Sequence, residues 1–170
     1  AQAGPLRVGG STGNTRGGAI ENYGNLTMNS CTLTNNTNSL AFGSAVTNAY
    51  LGGGLHASAA LNGCTIENND VAGSLGGAIY NGDILVMNDT DVCNNTTGKG
   101  SGLLSRLGGG LYLGCRSNTT LTNGCRVTGN DPSQLYEQVT YFSSPVFTYD
   151  STCVIGDAPT ANPQQTVAGE

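Results

Sequence analysis

The sequence predicts an all-β fold: one domain, built as a right-handed parallel β-helix of four to five coils interrupted by loop insertions. Three observations predict it. A glycine pair followed by a small or apolar step recurs along the chain. A second landmark, often begun by Cys and ended by Asn, follows each glycine pair. Between the landmarks, apolar residues alternate with polar ones. A unit of about 24 residues holding short alternating strands cannot bury its own apolar face, whereas stacked copies bury it against one another.

Taken in order, residues 1–16 precede the first repeat and are expected to cap it. Coil one, 17–51, opens with "GGAI" at Gly17 and Gly18 and reaches "CTLTNN" at Cys31. Coil two, 52–75, opens with "GGGL" at Gly52 and Gly53 and reaches "CTIENN" at Cys64. Coil three, 76–107, opens with "GGAI" at Gly76 and Gly77 and reaches "TDVCNN" at Thr90. Coil four, 108–131, opens with "GGGL" at Gly108 and Gly109 and reaches "CRVTGN" at Cys125. A partial coil, 140–157, carries only "CVIGD" from Cys153, and 158–170 is a polar tail. Extra residues in coils one and three, around 37–50 and 96–107, read as loops. A smaller insertion falls near "GCRSN", and the Tyr- and Phe-rich stretch 132–150 is expected to cap or dock.

Within a coil the period is two. Leu26, Met28, Cys31 and Leu33 share one side, as do Ala59, Leu61, Cys64 and Ile66, and Leu85, Met87, Thr90 and Val92. Breaks every few residues mean short strands joined by corners. The glycine pairs suit one corner, because glycine turns without a Cβ clash. The asparagines at 35–36, 68–69, 94–95 and 130 suit another, because Asn tolerates the left-handed region and stacked amides bond between coils.

Composition supports this and excludes several functions. The chain has 27 Gly, 19 Asn and 20 Thr, with 10% charged residues, which is poor for helices. The net charge is −5, Lys99 is the only lysine, and Arg7, Arg16, Arg106, Arg116 and Arg126 are scattered, so a nucleic-acid partner is not expected. No stretch is long and apolar enough for a membrane-spanning helix. The six cysteines lack a CxxC pair and the chain has one histidine, His56, so no zinc, other metal or cofactor is expected.

These residues resemble the repeats of polymorphic outer membrane protein adhesins, summarised as Gly-Gly-Ala-Ile followed by Phe-x-x-Asn. The likeness covers roughly residues 17–157. Leu33, Ile66, Val92 and Val127 stand where that family favours Phe. The resemblance implies a secreted or cell-surface β-helix with an adhesive or structural role and no catalysis.

Stacking also makes predictions about the cysteines. The second landmark aligns Cys31, Cys64, Thr90, Cys125 and Cys153 in an inward column. Coils 4.7–4.9 Å apart fall within disulfide reach. Disulfides Cys31–Cys64 and Cys125–Cys153 are expected, with Cys93 and Cys115 pairing by elimination; buried free thiols are the alternative. Six cysteines in this composition favour an extracellular setting. Acceptor triplets for N-glycosylation occur at Asn25, Asn35, Asn88, Asn94, Asn95 and Asn118.

No catalytic residues are expected. The acids are dispersed, Asp89 and Asp91 being the only close pair within a coil and read as an exposed patch on one face of a strand, and His56 has no evident partner. The leading expectation is a non-catalytic extracellular module, either an adhesin for a cell-surface glycan or protein or a self-assembling filament or sheath subunit. The alternative is an ice-binding solenoid, from outward rows read as Thr32, Thr65, Asp91, Arg126, Val154 and Thr27, Ala60, Val86, Leu121. A polysaccharide-acting β-helix enzyme is the third reading.

Overall fold

The computed structural model describes residues 6–8, 18–38, 42–50, 52–71, 77–97, 108–140 and 143–156. Gly17, Gly76, most of the 96–107 loop and the 158–170 tail lie outside these residues. β1 (Leu6–Val8) precedes the coils. Coil one holds β2 (Ile20–Asn22), β3 (Asn25–Asn29), β4 (Thr32–Thr34) and β5 (Thr37–Asn38). Coil two holds β6 (Val46–Asn48), β7 (Ser58–Asn62), β8 (Thr65–Glu67) and β9 (Asp70–Val71). Coil three holds β10 (Ile79–Asn81), β11 (Ile84–Asn88), β12 (Asp91–Cys93) and β13 (Thr96–Thr97). Coil four holds β14 (Leu111–Leu113), β15 (Asn118–Thr122) and β16 (Arg126–Thr128). Coil five holds β17 (Leu135–Glu137), β18 (Val146–Tyr149) and β19 (Val154–Ile155).

Like strands stack into parallel sheets, giving a β-solenoid. The first sheet runs β1-β2-β6-β10-β14-β17, the second β3-β7-β11-β15-β18, the third β4-β8-β12-β16-β19, and a short fourth β5-β9-β13. Among the described strands only β1 pairs antiparallel; it covers the outer edge of β2. The register carries no slip: Asn25, Ser58, Ile84, Asn118 and Val146 lie side by side along the second sheet.

The core follows from the alternation. Leu61, Ile66, Leu85, Met87, Val92 and Leu121 are fully enclosed, each burial worth about 1.5–3 kcal/mol. The inward column Ile20, Val46, Ile79, Leu111 and Leu135 lines the first sheet. On the outward side of that sheet Tyr80, Tyr112 and Tyr136 stack with ring centroids 5.3 and 5.0 Å apart, and the Phe42 ring lies tilted against Tyr80 at 4.8 Å. Burial pushes the Tyr112 phenol well above its usual range, and Tyr136 and Tyr80 add to the effect.

The boundary of coil two differs from the expected one. Its first strand is β6, so "GSAV" at 43–46, not "GGGL" at 52–55, matches "GGAI". Gly52, Gly53 and Gly54 instead form a hairpin-like turn closed by a bridge from Gly52 to Leu55, in an insertion between β6 and β7. A glycine pair alone does not mark the corner; what marks it is the inward apolar residue stacked on its counterpart. Gly43 and Gly108 hold equivalent left-handed corners, at φ +68° and +65°. Coil five also begins earlier than expected, at β17, so 132–150 supplies two of its strands rather than an added cap.

The corner asparagines form two amide ladders. Asn36, Asn69, Asn95 and Asn130 pass hydrogen bonds of 2.8, 2.9 and 2.9 Å from coil to coil, ending on Gln134 at 2.8 Å. Asn22, Asn48 and Asn81 form another, at 2.8 Å per step, ending on the Thr119 hydroxyl at 2.8 Å. Beside the first ladder, Asn35, Asn68, Asn94 and Gly129 share one left-handed corner.

Candidate functional site

The second sheet presents the broadest regular surface. Its inward residues build the core, so its outward residues form three rows. The first is Asn25, Ser58, Ile84, Asn118 and Val146; the second is Thr27, Ala60, Val86, Thr120 and Thr148; the third is Asn29, Asn62, Asn88 and Thr122. None of these is charged, in a chain of net charge −5; the nearest charge is Asp150, which follows Tyr149 at the coil-five end of the third row. Ile84, Val86 and Val146 are exposed apolar residues at the centre and far edge. Side chains are tied along the rows, Ser58 to Asn25 at 2.8 Å, Asn62 to Asn29 at 2.9 Å and Thr120 with Thr148 at 3.1 Å.

The middle row differs from the expected one at coil four. Thr120 faces out and Leu121 is buried beside Met87. Met87 lies three residues before Thr90, whereas Leu121 lies four before Cys125. The extra residue is absorbed by consecutive left-handed positions, Asn123 and Gly124. A one-residue shift exchanges the faces of a strand, so the row could not be assigned without locating that corner. The third-sheet row is as read, Thr32, Thr65, Asp91, Arg126 and Val154, and charge interrupts it.

The cysteine column stacks in the expected order, with backbone bonds joining Cys31 to Thr65, Cys64 to Asp91, Thr90 to Arg126 and Cys125 to Val154. All six cysteines stand as free thiols, so the expected disulfides Cys31–Cys64 and Cys125–Cys153 are not shown. Most column thiols lie against nearby backbone oxygens instead: Cys31 on Asn29, Cys64 on Asn62, Cys125 on Thr122. Cys93 lies on β12 and Cys115 in the turn after β14, on different walls, so the structure does not bring this expected pair together. Burial raises the pKa of Cys93, Cys125 and Cys153, with Glu67 and Asp91 adding at Cys93 and Asp150 at Cys153.

The acceptor asparagines separate sharply. Asn25, Asn35, Asn94 and Asn118 are exposed and Asn88 is half-buried. Asn95 is enclosed and both ends of its amide are occupied, so a glycan there is incompatible with the fold. Asn25, Asn88 and Asn118 all lie on the second-sheet face; a glycan on them and close packing of that face exclude each other.

His56 does have a partner. Its Nδ1 lies 3.1 Å from Asp83 Oδ1, while Asp83 Oδ2 accepts the Ala57 N–H at 2.7 Å. Asp83 is buried and His56 exposed, which makes the pair a brace for the 50–57 insertion. Asp89 sits at a left-handed corner ahead of β12, so it does not share a strand face with Asp91. Among the described residues no group of three or more His, Cys, Asp or Glu could hold a metal ion, and no helix is long and apolar enough to cross a membrane. No family model, curated protein or solved structure matches this chain.

Proposed function

We propose that this chain is a non-catalytic extracellular structural module that packs sideways, through the outward face of its second sheet, onto a second copy of itself. The face, uncharged except for Asp150 at its coil-five corner, carries the reading. Like faces of a protein with net charge −5 repel unless the contact is free of charge. Five strands at about 4.8 Å and five residues at about 3.3 Å give a face of about 24 by 16 Å. That is about 400 Å², half of the roughly 800 Å² per partner in a standard stable interface. Each contact is therefore weak, and an array gains strength by repetition. The dispersed carboxylates, with Asp83 occupied by Ala57 and His56, favour a non-catalytic role.

Sedimentation velocity over a concentration series, with electron microscopy of the concentrated, unglycosylated protein, tests this. The native chain should assemble with rising concentration. Val86→Lys, which places a charge at an exposed position, should stay monomeric with an unchanged circular dichroism spectrum. A native chain that is monomeric throughout removes the proposal.

A specific observation favours ice binding as the second reading. The row Thr27, Ala60, Val86, Thr120, Thr148 sets hydroxyls and methyls at the regular strand spacing without charge. Thermal hysteresis in the native chain, lost in Val86→Lys, is its expected signature; freezing at the equilibrium point rejects it.

A further inference from the structure

The corner between the first and second sheets changes length from coil to coil. In coil three it is only Gly82 and Asp83, between β10 and β11. Coil two inserts residues 49–57 there, coil four 114–117 and coil five 138–145. The short corner is therefore sunken among longer ones, as a cleft of about 160 Å³. Tyr50 from coil two, Cys115 and Arg116 from coil four and Gln138 from coil five wall it.

Its floor is glycine for a steric reason. A Cβ at Gly82 would lie 3.2 Å from the Tyr80 ring, and one at Gly114 would lie 3.3 Å from the Tyr80 hydroxyl. Bare backbone thus lets the Tyr80 ring lie across the corner, held from behind by Phe42 and Tyr112. The Arg116 guanidinium stands 5.7 Å from the centre of the Tyr50 ring. Among the described residues no carboxylate pairs with Arg116. The cleft thus sets a positive charge with no carboxylate partner, on an acidic protein, over the Tyr50 ring and in the same lining as Tyr80.

We propose that this cleft binds a single cyclic carboxylate of the sugar-acid class. Arg116 takes the carboxylate, the Tyr50 ring and the edge of Tyr80 border the sugar ring, and the Gln138 amide takes a ring hydroxyl. The volume lies well below the 300–1,000 Å³ of drug-sized pockets, which limits the ligand to one ring. The cleft lies on a corner, apart from the second-sheet face, so either site can fail without the other.

Titration with glucuronate, glucose and acetate, followed by NMR, tests the assignment. Glucuronate should shift the resonances of Tyr50, Tyr80 and Arg116 saturably, and glucose and acetate should each bind at least about tenfold more weakly. Arg116→Gln should weaken glucuronate by about tenfold, the size of a lost charge-assisted hydrogen bond, without changing the melting temperature. Alkylation of Cys115, mapped by peptide mass, should slow when glucuronate is bound. Equal binding of glucose, unchanged affinity in Arg116→Gln, or the absence of saturable shifts overturns the proposal.

Discussion

At Gly77 a single added carbon would stand 1.6 Å from the carbonyl oxygen of Gly109 in the next coil. Backbone, not a flexible side chain, occupies that space, so nothing nearby can yield. Gly53 is the opposite case. Its φ is +63° but nothing lies within 4 Å of an added Cβ. Gly77→Ala should therefore cost more than about 3 kcal/mol or prevent folding. Gly53→Ala should cost only the left-handed penalty of about 1–2 kcal/mol. Urea denaturation midpoints of the two variants check this, and equal midpoints would contradict the assignment of the coil corner. The residue type is the same; the distance to the neighbouring coil decides its role.

The amide ladder shows how an element is held by repetition. Asn95 accepts from the Asn69 backbone and side chain and donates to Ile66 and Asn130. Asn95→Asp keeps the shape but replaces the donor with oxygen. The new carboxylate then faces the Asn130 Oδ1 and the Ile66 carbonyl, away from water. At neutral pH the expected loss is about 3 kcal/mol or more. Asn35→Asp, at an exposed left-handed corner, should change stability by less than about 0.5 kcal/mol. Chemical denaturation of both variants measures the contrast, and similar values would mean that the ladder does not stabilise the stack.

Across the whole molecule, stability should fall toward the ends. Leu85 and Met87 in coil three are fully enclosed, while Leu26 and Met28 in coil one remain 8% and 7% exposed, and Phe147 and Tyr149 in coil five are half-buried. In a stack each coil is held by its neighbours, so a terminal coil has support on one side only. Asp150 fastens coil five. Its carboxylate accepts from the Thr152 hydroxyl and from the backbone of Asn123 and Thr152, which lowers its pKa from 3.8 to about 2. A depressed folded-state pKa means that the stabilisation is complete above the unfolded value and is lost as pH falls through the folded one. Coil five should therefore loosen between about pH 4 and pH 2, seen as faster hydrogen exchange at Val154 and Gly156. Asp150→Asn should show the faster exchange already at pH 7 and no further change across that window; protection equal to the native chain would discount the clasp.

Much of the scaffold was legible along the chain, because it rests on local rules. Period-two alternation assigned Leu61, Leu85 and Val92 to the core, and the preference of Asn for left-handed corners located Asn35, Asn68 and Asn94. The candidate sites were less legible. "GGGL" at 52–55 imitates a corner that "GSAV" occupies. Thr120 and Leu121 exchange faces through one extra residue. The cleft joins Tyr50, Tyr80, Arg116 and Gln138, which no spacing connects. By itself the sequence determined that this chain is a β-solenoid and which residues are its rungs, since repeated patterns have one way to bury their apolar face. Only the tertiary structure decided where coil two starts, which rows reach solvent and where the cleft opens. Those depend on how corners of unequal length stack, and stacking is a relation between residues 24 to 35 positions apart.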